Sequence, residues 1–473
     1  LITLAMILEA LTGLKVDYLS MLISEACIDS RQAIPGSMFV ALAGENVDGH
    51  QYVGHAFQNG AHIALVEQDL SDKFSTIDLR GVHSLQDIQQ ISSPVCLLVE
   101  NSLKALQIIA KFWRCQINPR VIGITGSVGK STTKELVAAV LSQRYSTIKN
   151  KGNYNNEIGL PLTILQIGRG HQRAVLEMGF YVPGEITFLC DIAQPHVGVV
   201  TNVGTVHAER AGSQETIARG KAELVQALPP APDGTAILNF DDPFVRLMAE
   251  KTSAQVFFYG LNPVAHLWAD EIYGMGLEGI RFRLHYQKEN MYLKVPLIGR
   301  HSVHTALRAA AVGLVEGLSW DEIVPGLQRG QSQLRMVAVH TQSGALILDD
   351  TYNASPESMI AALNLLAEME GHKIAVLGEM LELGKYEERG HAMVGIRAAS
   401  VCDELVAVGN RSKMIIEAAI NARMLKNRIV WFETVEETID YLSPKLQNND
   451  VVLIKGSHGM RMDRIVSALE VPE

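Results

Sequence analysis

The run Gly126-Ser127-Val128-Gly129-Lys130-Ser131, followed by Thr132, carries the clearest chemistry in this chain. Glycine at both Gly126 and Gly129 leaves backbone N–H groups open to an approaching anion, with no Cβ in the way. Lys130 supplies a point charge for the β- and γ-phosphates of a nucleotide, and the Ser131 hydroxyl an oxygen for Mg²⁺. A strict phosphate loop has a further glycine at position 124, where this chain has Ile124. For so short a pattern the alternative is an ordinary strand-to-helix turn with an exposed lysine. The context favours the phosphate loop. Residues 121–125 read as a buried strand, and Leu136, Val137, Val140 and Leu141 share one face of a following helix. That helix would add its N-terminal amides to the phosphate nest.

Other candidates are weaker one at a time. Glu177 closes a strand over residues 173–178, and His207 follows one over residues 196–203. In doubly wound sheets ligands gather at such carboxyl ends, and a carboxylate and an imidazole there suit a metal. Either residue alone is more often structural. Asn155 and Asn156 lie in an amide-rich loop, residues 149–161, which reads equally as a polar-ligand site or as a turn. Ser30 and Arg31 offer a hydroxyl and a charge to a phosphate, or form a surface turn. Asp48 and His50 end a polar loop, residues 44–50. Lys221, at helical spacing in residues 213–228, reads as a solvated side chain.

The elements that must hold these residues make an α/β chain. At 473 residues, two or three domains are expected. A first unit, residues 1–111, is a small α/β domain with strands at 38–42, 61–66 and 95–99 and a polar, irregular stretch at 69–90. A second, residues 112–318, is a phosphate-loop, mononucleotide-binding, doubly wound domain with a strand at 236–239 and β-rich hairpins over 257–295. A third, residues 319–473, alternates strands at 345–348, 373–377, 404–408, 429–432 and 451–454 with helices, and reads as Rossmann-like. It has no G-x-G-x-x-G after its first strand, so a dinucleotide is not expected there.

Composition bounds the function. With 47% hydrophobic residues and mixed charge the chain reads as soluble and globular, and a net charge of −10 argues against nonspecific nucleic-acid binding. Five scattered cysteines without a C-x-x-C suggest reduced thiols in a cytoplasmic protein. The apolar start, with Leu4, Ile7, Leu8 and Leu11 on one helical face, carries Glu9 and no cleavage signal, so a secretory leader is not expected. No apolar run reaches the ~20 residues of a membrane span.

Taken in order, these motifs resemble the Mur ligase family of ATP-dependent amide ligases. The similarity runs over nearly the whole chain. It is carried by Asp29-Ser30-Arg31, by Pro35 to Leu42, by Asp48-Gly49-His50, by the phosphate loop, by Asp349 to Met359 and by Leu377-Gly378-Glu379-Met380. The blocks of the first and last domains are most similar to the branch that adds D-alanyl-D-alanine to UDP-N-acetylmuramoyl-tripeptide in peptidoglycan synthesis. The Asp-Asn-Pro-Arg motif of the diaminopimelate- or lysine-adding branch is absent.

The resemblance implies three domains and an acyl-phosphate route. It implies ATP bound by residues 126–132, Asn239 near adenine, Arg335 on phosphate and Asp350 on ribose. It implies two Mg²⁺ ions, with Ser131, Glu177 and His207 as ligands and Lys221 carbamylated beside the second ion. Ser30, Arg31, Asp48 and His50 would take the uridine diphosphate end and Asn353 the dipeptide, while Asn155 and Asn156 are read from their amide-rich loop as substrate-binding. A monomer with these two substrates is expected. The chain departs from the family pattern at Ser302 and Thr305, where Asn is usual, at Ser355, also usually Asn, and at His458, usually Arg.

Two rival readings remain at this level. A sibling ligase for another amino acid, such as a folylpolyglutamate synthase-like enzyme, would share the loop but lack a first domain of about 110 residues. A nucleotide-dependent switch ATPase would hydrolyse ATP without any amine. Which third residue the tripeptide carries, lysine or diaminopimelate, is open.

Overall fold

The computed structural model describes residues 1–15, 20–44, 47–81, 93–205, 208–329 and 337–470. Two compact units emerge, the first comprising residues 1–123, 145–179 and 185–197, the second residues 124–144, 180–184 and 198–473.

In the first unit, β1 (Ala26–Cys27), β2 (Met38–Val40), β3 (Ile63–Val66), β4 (Thr76–Asp78) and β5 (Val95–Leu98) form a sheet of order β1-β2-β3-β5-β4. All of its pairings are parallel. β2, β3 and β5 are buried at every position, as a sheet covered on both faces requires. The helix Leu4–Thr12 buries Leu4, Ile7 and Leu8; Thr3 caps its start and Gly13, at φ 75°, ends it. The stretch read as irregular, residues 69–90, contains β4. That strand has three residues, half-exposed, and borrows its order from β5, so no alternation marks it. Residues 82–90 of the stretch lie outside the described residues.

β6 (Arg120–Thr125) and β9 (Val197–Val200) run from the first unit into the second. In the first unit β6 continues to β8 (Arg173–Glu177) and β7 (Thr147–Lys149) in the order β6-β8-β7. The helix Ser102–Gln116 buries Trp113, whose indole donates to Ile167 O at 2.9 Å, and Arg114, whose Nε donates to Ala193 O at 2.7 Å. Arg114 thereby satisfies a carbonyl at the end of the helix Glu185–Ala193.

In the second unit the order continues through β10 (Thr235–Asn239), β11 (Gln255–Gly260), β12 (Leu267–Gly274), β13 (Ile280–Tyr286) and β14 (Glu289–Val295), as β6-β9-β10-β11-β12-β13-β14. The pairs β10–β11 and β11–β12 are parallel, and the last two pairs are antiparallel. The helices Lys130–Leu141 and Val303–Val315 belong here; Leu136, Val137, Val140 and Leu141 of the first are buried as its spacing predicts.

A second sheet in this unit has the order β15-β16-β20-β17-β18-β19. It comprises β15 (Val337–His340), β16 (Leu346–Asp349), β17 (His372–Leu377), β18 (Glu404–Val408), β19 (Ile429–Phe432) and β20 (Asp450–Lys455). β15 is its antiparallel, mostly exposed edge, which the sequence did not mark; the other pairs, β16–β20, β20–β17, β17–β18 and β18–β19, are parallel. Ser355 caps the helix Pro356–Glu368 in a reciprocal box with Ser358, so serine at this departure does the capping work of asparagine. Among the described residues no helix is long and apolar enough to cross a membrane. All five cysteines are free, and Cys115 alone of them is exposed.

Candidate active site

The phosphate loop leaves β6 and enters the helix Lys130–Leu141 through two glycines of positive φ, Gly126 at 150° and Gly129 at 82°. A Cβ on Gly126 would overlap the Thr201 side chain. The end of β9 therefore grips the loop closely. Thr201 Oγ1 donates to Val128 O at 2.7 Å. Asn202 bonds Val128 twice, accepting from its N–H and donating to its carbonyl, both at 2.9 Å. The Ser127 amide donates to Asn202 O at 3.0 Å, and Ser127 Oγ accepts from the Gly204 amide at 2.9 Å. The Ser127 and Val128 amides thus hold the loop's shape, and the turn from Gly129 into the helix is left to meet an anion. Lys130 folds back, its Nζ donating to Gly126 O at 2.9 Å and lying 3.4 Å from Ser127 O.

A cavity of ≈ 370 Å³ opens beside this turn. Among the residues named from the sequence, its wall holds Ser127, Gly129, Ser131, Thr132, Asn239, Asp350 and Asn353. Asn239, at the end of β10, donates from Nδ2 to Thr201 O at 3.2 Å. Gly126, Lys130 and Lys221 are not on the wall. His207 and Arg335 lie outside the described residues.

The wall also holds groups that sequence reasoning passed over. Lys455, the last residue of β20, is 2% exposed and sits 2.8 Å from Asp350 Oδ2, with its Nζ donating to Asn353 O at 2.7 Å. It was visible in Lys455-Gly456-Ser457, but only a neighbouring strand shows that it meets Asp350. Replacing Lys455 by Met is expected to lower unfolding stability by ~1–3 kcal/mol, because the half-buried Asp350 carboxylate loses this ion pair and the Asn353 carbonyl loses its donor. Chemical denaturation of Lys455→Met checks this, and the added change Asp350→Asn should recover much of the loss. Glu357 reaches the wall as well, its Oε1 accepting from the Thr205 amide at 3.3 Å. Arg308 completes this side, beside Ser302, Thr305 and Ser355, the departures already named from the sequence.

Lys221 sits on the helix Gln214–Gln226, which Ser213 caps. It is not solvated: it is 2% exposed, with Nζ 4.8 Å from the centre of the Phe180 ring. Gly220 lets the helix approach that ring, which a Cβ would overlap. Burial, and then the charge of Lys130, push the Lys221 ammonium well below its ordinary value.

In the first unit, Glu177 ends β8, 1% exposed. Asn150 accepts from its amide at 2.9 Å and donates to its carbonyl at 3.1 Å, while Asn155 Nδ2 donates to Glu177 Oε1 at 2.9 Å. The amide-rich loop thus positions a carboxylate, with the buried Asn150 a member that the sequence did not single out. Asn156 turns its side-chain oxygen to the Gly159 amide, 2.9 Å away, at the start of the helix Gly159–Leu165. Asp48 accepts from the His50 amide at 3.0 Å and holds His50 Nδ1 at 2.6 Å. His50 Nε2 accepts from the Glu67 amide, which places the ring proton on Nδ1. Asp48 and His50 are therefore engaged in shaping their loop. Ser30 Oγ lies 3.0 Å from His55 Nδ1, and the exposed Arg31 guanidinium is paired with Asp29 at 2.7 Å.

Comparison with known proteins bears on the whole chain. The Mur ligase family catalytic domain matches residues 23–114, the Mur ligase middle domain residues 124–313, and the Mur ligase glutamate ligase domain residues 334–458. A UDP-N-acetylmuramoyl-tripeptide–D-alanyl-D-alanine ligase of Bacillus subtilis is 33% identical over 93% of this chain and 92% of its own length. The protein of that name from Synechocystis is 35% identical over 94% and 92%. The crystal structure of MurF from Acinetobacter baumannii superposes with a TM-score of 0.82 at 30% identity, covering 98% of this chain and 97% of that one. MurF from Thermotoga maritima, in complex with ADP, gives 0.77 at 28% identity, over 95% and 97%. A phosphate loop opening on a cavity, three matched domains in sequence order and full-length relatives leave one conclusion: the chain belongs to the Mur ligase family.

Proposed function

We propose that this chain is an ATP-dependent ligase that joins D-alanyl-D-alanine to UDP-N-acetylmuramoyl-tripeptide in peptidoglycan precursor synthesis. The observation that carries the reading is the phosphate-loop cavity, in a chain matched over 93–94% of its length by ligases of that name. With a nucleotide-activated substrate and ATP, the reaction would run in the cytoplasm, and the chain would act as a monomer.

A carboxylate does not acylate an amine at neutral pH, because oxide would have to leave. Transfer of the γ-phosphoryl group of ATP to the tripeptide carboxylate releases ADP and leaves an acyl phosphate. The dipeptide amine then attacks the acyl carbon, its proton is lost, and phosphate leaves as the amide forms. Lys130 would swing from the loop carbonyls to the transferring phosphate, and the turn at Gly129 would hold the phosphates through its amides. Asn239 would meet the adenine and Asp350 the ribose. Lys455 keeps Asp350 in place for that contact. Ser30 and Arg31 are the residues proposed for the uridine diphosphate, with Asp48 and His50 as loop-shaping residues beside them, and Asn353 for the dipeptide. Arg335 is proposed for phosphate.

Mg²⁺ binds through one or two protein oxygens together with substrate phosphates and water, and the Ser131 hydroxyl on the cavity wall suits that habit. The further ligand positions proposed from the family resemblance are Glu177, His207 and a carbamylated Lys221. When bound, the ions screen the repulsion between carboxylate and polyphosphate.

The test is phosphate release with MgATP and UDP-N-acetylmuramoyl-tripeptide, with and without D-alanyl-D-alanine. Release that requires both substrates, with a pentapeptide product by mass, is expected. Release indifferent to the dipeptide would overturn the assignment in favour of a sibling ligase or a switch ATPase.

A further inference from the structure

We propose that Arg308 binds the α- and β-phosphates of the nucleotide, held in position by Thr305. The proposal rests on the ATP-site reading of the cavity and adds a residue to it. Arg308 sits mid-way along the helix Val303–Val315, among Ala306, Leu307, Ala309 and Ala310, and is 4% exposed. Its Nη2 donates to Thr305 Oγ1 at 2.7 Å. The same Nη2 lies 3.4 Å from where a Cβ on Gly129 would stand, so the guanidinium is packed against the phosphate loop at the turn left open to an anion. It lines the cavity together with Val128, Gly129, Ser131 and Thr132.

It has no counter-charge among the described residues. Among the described residues Nε and Nη1 have no hydrogen-bond partner. The groups among the described residues that face the side chain are the Thr305 hydroxyl, the buried Tyr259, whose ring centre lies 5.9 Å from the guanidinium carbon, and the His301 imidazole, and none is an anion at neutral pH. An arginine side chain does not escape by deprotonating, and a buried cation with open donors is costly unless something pairs it. A planar fork of N–H donors beside a phosphate loop matches phosphate oxygens. Thr305 is one of the positions where this chain departs from the asparagine of the family pattern. Its hydroxyl accepts from Arg308, so the departure and the arginine act as one unit.

Titration of ADP, ATP and adenosine against the full chain and against Arg308→Met tests this. Loss of charge-assisted hydrogen bonds should weaken ADP and ATP alike by ~10–100-fold and leave adenosine unchanged. The melting temperature without ligand should not fall, since an unpaired buried cation has been removed. Thr305→Val should weaken ADP in the same direction by less, and should add little to Arg308→Met. If Arg308→Met does not fold, Arg308→Gln carries the same comparison. ADP affinity within twofold of wild type, or an equal loss for adenosine, would overturn the proposal. A wild-type chain that binds no ADP would remove the ATP-site reading as well.

Discussion

Turnover by Lys130→Ala should fall ~10³-fold or more, with the chain folded and the cavity intact. Lys130 opens the helix Lys130–Leu141 and its ammonium bonds loop carbonyls of Gly126 and Ser127. Those bonds are neutral acceptors in a site meant for a polyanion. A nucleotide offers oxygens of full charge, and charge-assisted bonds are roughly twice as strong as neutral ones. A bond from Lys130 to phosphate would be the stronger of the two, and in the proposed mechanism it forms where charge develops during transfer. Alanine keeps the helix start and the grip of Thr201 and Asn202 on the loop, so stability should move little. Steady-state phosphate release together with thermal melting decides the matter. Near-normal turnover would sink the phosphate-loop assignment.

The second large effect is at Lys221. Lys221 is 2% exposed, and burial, followed by the charge of Lys130, pushes it toward the free amine. A free amine is the form that attacks CO₂: the nitrogen lone pair bonds the carbon, a proton is released, and a carbamate results. Lys221→Met keeps the bulk and removes the nucleophile, so we expect turnover to drop ~10³-fold and the ¹³C carbamate signal formed from labelled bicarbonate to disappear. Unliganded stability carries a separate signature. The folded-state value lies below the unfolded one of 10.5, so between the two the unfolded chain binds more protons. Stability therefore rises with pH across that window and is lost as pH falls through it. Wild type measured free of CO₂ should show this slope, and Lys221→Met should flatten it. A variant with full turnover would remove the carbamate from the mechanism.

Much of this was legible from local pattern. The strand before the phosphate loop, the apolar face after it and the alternating strands and helices of residues 345–454 follow periods of two and 3.6 that neighbouring residues impose on one another. β4 and β15 escaped notice because a short edge strand, half-exposed in β4 and mostly exposed in β15, has no such period and takes its order from its partner. Lys221 was misleading for a related reason: helical spacing describes a face, and what covers that face is supplied by Phe180, from another segment.

The sequence by itself determined that a phosphate loop exists, that parallel sheets carry it, and that its blocks are those of a Mur ligase. Only the tertiary structure decided which groups the loop answers to. Asn202 meets Val128 across a separation of 74 residues, Lys455 meets the segment at Asp350 across 105, and Arg308 lies against Gly129. Such pairs are set by strand order and helix packing, and a hydrogen bond acts over about 3 Å. Residue type announces that a side chain needs a partner; only the folded chain brings one within that reach.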